Sequence, residues 1–150
     1  MQMSNLKENK SMYEITITFT EIDKNGNDRN KKENLILENA ESFADAEQIG
    51  YDYGSGLTAI DVVSIKRSKL KEIVNEKPFN DDTCKIYVAQ IVDHFVDLET
   101  EETKDIKYSV ALFAHDMKEA HQAIEQYMKQ GLEDMDLVGI KETKFNDVLK

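Results

Sequence analysis

The chain has 150 residues, 40% hydrophobic and 33% charged, with a formal net charge of -11, room for one ordinary domain or two very small units sharing a core. One proline, six glycines and the lack of any apolar run near the ~18 residues of a membrane span exclude a low-complexity chain and a helical membrane protein. The acidity disfavours nucleic-acid backbones and anionic membranes as partners, and the single cysteine, Cys84, cannot make an internal disulfide or a zinc site built on cysteines.

Residues 1–11 are polar, without the apolar stretch of a secretory signal, and read as a flexible N-terminal arm of a protein that stays in the cytoplasm of a bacterial host. From Tyr13 to Ile22 apolar and polar residues alternate with period two, the pattern of a half-buried strand. Asn25-Gly26 supplies a hairpin turn, and a return strand follows over about Asn34 to Ala40. Ser42 stands where an N-cap is needed, with Asp45 three residues on, and Phe43, Ala46, Ile49 and Tyr53 fall at helical spacing over 43–53. The turn-rich GYDYGSG leads to a third strand, Ala59 to Lys66.

The same order then repeats. Cys84 to Val96 is a strand, DLETEETKD a loop and Ile106 to Phe113 the return strand. Asp116 caps a helix with Glu119 at its third position, Gly131 stops it, and Leu137 to Lys141 closes the second unit. An offset of 74 lays Tyr13 on Tyr87, Ile17 on Ile91, Ala40 on Ala114 and Ala46 on Ala120; an offset of 75 aligns Val63 with Val138 and Ile65 with Ile140. The expectation is an α+β fold made by tandem duplication of a ββαβ unit. It has about six mostly antiparallel strands, two helices packed on the sheet, and halves related by a pseudo-twofold. One compact domain results, with the first repeat at 12–75, a linker at 76–83 and the second repeat at 84–150.

The aromatic-led first strand, the return strand ending in alanine, the SFADAEQI helix start and the SIKRSKLKEIV block echoed as GIKETKFNDVL resemble an uncharacterised domain-of-unknown-function family. That family is about 150 residues long and is found in gut Bacteroides and crAss-like bacteriophages. The similarity runs from Tyr13 to Leu149 and rests on core and turn positions, so it transfers no catalytic residue. It implies a phage or mobile-element setting, where small proteins of this kind serve in replication, host takeover or defence evasion.

No residue set reads as a catalytic centre, and no cofactor or metal site is expected. His115 and His121 are six apart and point to different helix faces, against the i, i+4 spacing of a zinc pair. His94 reads as a solvent-facing strand residue, and Cys84 as a small apolar residue with no histidine implied nearby. The loop with Asp23, Asn25, Asn27 and Asp28 lacks the glycine and terminal glutamate of a calcium loop and is a hairpin turn.

Charge is uneven: residues 11–75 sum to -4 and residues 76–150 to -8. The leading expectation is therefore a non-catalytic module that acts through an acidic surface or a sheet edge on a protein partner with a basic surface, in host takeover, defence evasion or assembly. Its contact residues would be Asp97, Glu99, Glu101, Glu102, Asp105, Glu133, Asp134 and Asp136. The alternative is a single-stranded nucleic-acid-binding accessory protein. It would work through Arg29, Lys31, Lys32, Lys66, Arg67, Lys69 and Lys71 beside Tyr51 and Tyr53. Homo-oligomerisation stays open.

Overall fold

The computed structural model describes residues 10–78, 81–131 and 134–150; residues 1–9 of the expected arm, two residues of the expected linker and Glu133 lie outside them. In chain order the elements are β1 (Ser11–Ile22), β2 (Asp28–Ala40), α1 (Phe43–Tyr53), β3 (Thr58–Arg67), β4 (Leu70–Ile73), β5 (Lys85–Val96), β6 (Thr103–Ala114), α2 (Met117–Lys129), β7 (Asp134–Glu142) and β8 (Phe145–Leu149). The fold is α+β, with eight strands among the described residues where the sequence pattern predicts about six. They form two four-stranded sheets, ordered β3-β1-β2-β8 and β4-β6-β5-β7.

The two additional strands, β4 and β8, have four and five residues and no sustained alternation of their own. Each is a strand because a partner supplies the ladder: β4 runs parallel to β6, and β8 parallel to β2. The chain accordingly divides into two compact units, one running up to Ser68 and completed by Phe145–Lys150, the other Lys69–Lys144. Each sheet is antiparallel except for this one parallel edge pair.

In the first unit the period-two face of β1 (Tyr13, Ile15, Ile17, Phe19) joins Leu35, Leu37, Ala40 and Ala46 in a buried cluster, with Leu149 of β8 packed against it. The second unit repeats this with Tyr87, Ala89, Ile91, Val110, Leu112, Ala114, Ala120 and Ile124. Both helices start as their sequences dictate: Ser42 Oγ accepts from the Asp45 N–H at 3.0 Å, and an Asp116 carboxylate oxygen from the Glu119 N–H at 2.8 Å.

The step from offset 74 at Ala46 to 75 at Val63 falls between α1 and β3, and the two hairpins carry a separate shift of their own. The β5–β6 turn, between the paired residues Val96 and Thr103, holds one residue more than the β1–β2 turn between Ile22 and Asp28. A bulge in β2, where the register slips between Ser11 and Tyr13, restores the shorter offset by Ala40.

In both turns one residue is left-handed: Gly26 at φ 81° and its counterpart Glu101 at φ 61°. A side chain in that region is strained by roughly 1 kcal/mol. Glu101→Gly is therefore expected to stabilise the protein by about 0.5–1 kcal/mol in urea unfolding, and Gly26→Ala to destabilise it by about as much. A Cβ at Gly26 meets nothing within 4 Å, so backbone conformation alone is being tested.

Candidate functional site

Strand direction gathers the acidic residues. β7 runs antiparallel to β5, so its start lies beside the end of β5, with His94 opposite Asp105 on one side and Asp134 on the other. Asp105, Asp134, Asp136 and the hairpin residues Asp97, Glu99, Glu101 and Glu102 thus converge at one end of the second sheet. All but Asp97 are exposed. Three exposed apolar side chains stand among them: Val96 at 57%, Leu98 at 92% and Ile106 at 51%.

These carboxylates have different jobs. Asp97 pairs with Lys104 at 2.9 Å and accepts from the Glu99 and Thr100 N–H groups, which hold its carboxyl below the usual range. It builds the turn, as its counterpart Asp23 does through Asn25, Asn27 and an Arg29 pair at 3.0 Å. Asp23 is thereby committed to its own turn.

Asp105 and Asp136 clamp His94, with Nδ1 at 2.6 Å from Asp105 and Nε2 at 2.7 Å from Asp136. The two carboxylates favour the imidazolium and push the His94 pKa up to about 9. This folded value lies above the ordinary 6.5, so the stabilisation is full below pH 6.5 and disappears as pH rises through 9. Wild type is expected to melt above a His94→Gln variant at pH 6 and level with it once the pH has passed 9, with NMR titration of the ring fixing the midpoint.

The structure separates the basic residues. On β1 register, Lys32 lies opposite Thr18 and Lys66 opposite Glu14, on different flanking strands. Four residues along a strand is about 13 Å, before the two strand spacings between the flanks are added. Arg29 and Arg67 stand eight β1 residues apart, opposite Glu21 and Tyr13. Lys31 lies opposite Phe19, while Lys69 and Lys71 belong to the second unit.

Several of these groups are already engaged: Lys66 with Glu14 at 3.5 Å, Arg67 over the Tyr13 ring at 6.0 Å and Lys71 over Tyr108 at 4.2 Å. Tyr51 donates to Asp61 at 3.1 Å and Tyr53 to Glu33 at 2.8 Å. Burial, aided by Glu33, pushes the Tyr53 hydroxyl up to about 12. Within the first unit, the hairpin cations and the cations ending β3 do not form the single patch that the sequence reading required.

A second cluster was not foreseen. Lys85 pairs with Ala114, so the β5–β6 register continued one step sets Cys84 across from His115. Cys84 Sγ lies 3.5 Å from His115 Nε2, which corrects the expectation of no histidine near this thiol. Asp81 Oδ2 is 2.6 Å from the same Nε2 and 3.8 Å from the sulfur. Glu119, one turn into α2, holds His115 Nδ1 at 2.9 Å. His121 instead meets Glu125 at 3.4 Å.

Asp81 is held below its usual range, first by the Thr83 hydroxyl and then by His115; His115 is raised by Asp81 and Glu119. Burial, followed by the Asp81 charge, pushes the Cys84 thiol up, opposite to what a free nucleophile needs. The signal in the sequence is the hairpin itself: residues 84 and 115 are equidistant from its turn, as 94 and 105 are.

No helix among the described residues is long and apolar enough to cross a membrane. No curated protein matches the chain. Residues 11–150, from the first residue of β1 onward, match the model of a domain of unknown function, DUF4494, and the protein belongs to that family.

Proposed function

We propose that the protein is a non-catalytic, cytoplasmic binding module of a bacteriophage or mobile element, derived by tandem duplication of one ββαβ unit. In this reading it docks the basic surface of a protein partner on the acidic end of its second sheet and acts in host takeover, defence evasion or assembly. The observation that carries this reading is the convergence of carboxylates from β6, β7 and the β5–β6 turn at one end of the sheet, where the turn residue Leu98 is 92% exposed. Burying a leucine side chain is worth about 1.5–3 kcal/mol, so Leu98 can anchor a partner while the surrounding charges steer and orient it.

The test leaves the turn intact by keeping Asp97, Lys104 and Glu101. A photo-crosslinker at Thr100 in cells is expected to give one discrete adduct, lost in a Leu98→Ser, Glu99→Lys, Glu102→Lys variant and weakened by raised salt. An adduct unchanged by that variant overturns the reading. A labelled single-stranded oligonucleotide should show no salt-sensitive binding; binding lost in Lys66→Glu, Arg67→Glu would instead establish the nucleic-acid alternative.

A further inference from the structure

We propose that Asp81, Cys84 and His115 form a binding site for a borderline-soft divalent cation of the zinc class, with Glu119 as the positioning residue. The three ligand atoms, Asp81 Oδ2, Cys84 Sγ and His115 Nε2, all lie within 4.8 Å of one another. They come from two segments that the β5–β6 pairing brings face to face, the turn before β5 and the junction between β6 and α2.

The separations fit the ion. With metal–sulfur and metal–nitrogen bonds of about 2.3 and 2.0 Å, a tetrahedral site sets sulfur and nitrogen about 3.5 Å apart and nitrogen and oxygen about 3.3 Å apart. Cys84 and His115 already stand at 3.5 Å, and Cys84 and Asp81 at 3.8 Å. Only the 2.6 Å Asp81–His115 hydrogen bond must open, by about 0.7 Å, as the proton between them is replaced by the cation.

The atoms not facing the ion are already held. Thr83 donates to the other oxygen of Asp81 from its N–H at 3.0 Å and from its hydroxyl at 2.5 Å. Glu119 sits 2.9 and 3.0 Å from His115 Nδ1, the carboxylate–histidine arrangement that turns Nε2 toward a metal. A water completes four-coordination, reached past the His115 side chain, which is 39% exposed.

The helix cap does not require this set. In the first unit Asp45 reaches back to the Glu41 N–H at 2.9 Å, as Glu119 reaches back to the His115 N–H at 3.3 Å. Yet the residues matching Cys84 and His115 are Lys10 and Glu41, and neither brings sulfur or imidazole. On binding, the Cys84 thiol and His115 Nε2 each release a proton to solvent and the sulfur coordinates as thiolate.

The experiment is titration of the full metal-free protein with cobalt(II), followed by competition with zinc. One ion per chain is expected. Tetrahedral d–d bands and a thiolate-to-cobalt charge-transfer band should appear, and zinc should erase both. Because Cys84 is the only cysteine, the charge-transfer band identifies it without ambiguity. Cys84→Ser should abolish that band, and His115→Ala and Asp81→Asn should each weaken binding at least tenfold. Glu119→Gln should weaken it about 10- to 100-fold while leaving the band positions unchanged. His121→Ala should change nothing. A spectrum of hydrated octahedral cobalt at millimolar metal, or a band that survives in folded Cys84→Ser protein, overturns the proposal.

Discussion

A chain ending at Lys144 is expected to lose about 3 kcal/mol from its first unit, the sum of unburying Leu149 and of breaking the short β2–β8 ladder. Although β8 follows β7 in the chain, it pairs with β2, from Asn34 with Phe145 to Ile36 with Val148 and Leu37 with Leu149. The backbone groups of β2 that β8 satisfied become an open edge beside Leu35, Ile36 and Leu37, so the truncated protein should also associate more readily. Hydrogen exchange locates the damage: protection should fall first and furthest at β2 amides. Unchanged exchange there would show that β8 contributes no stability.

Ile17→Ala and Ile91→Ala are each expected to cost about 3 kcal/mol, within the range for isoleucine truncated in a packed core. Ile17 is 0% and Ile91 1% exposed, and they occupy matching positions on β1 and β5. Each change should expose its own unit's strands to exchange more than the other's. A cost below about 1 kcal/mol for either would mean that its unit collapses around the cavity and is not packed as described.

The acidic surface was largely readable from composition, because residues 97–105 and 134–136 had to flank the turns of the second sheet. Which carboxylates remain available was not. Asp97 is consumed by its turn and Lys104, and Asp105 and Asp136 by His94. These assignments depend on cross-strand register, which places residues from β5, β6 and β7 side by side. The Asp81–Cys84–His115 cluster was missed for the same reason, since three ligand types spread over 35 residues carry no local spacing.

By itself the sequence determined both helices and their N-caps, the period-two core face of β1 and the strand character of β5. All of these are local signals, fixed by side-chain alternation and by hydrogen bonds a few residues apart. Tertiary structure alone decided that β4 and β8 are strands and in which sheet each belongs, because a strand of four or five residues exists only where a partner satisfies its backbone. It likewise decided that Cys84 faces His115 and that His94 bridges two aspartates, since only strand pairing brings such distant side chains within bonding distance.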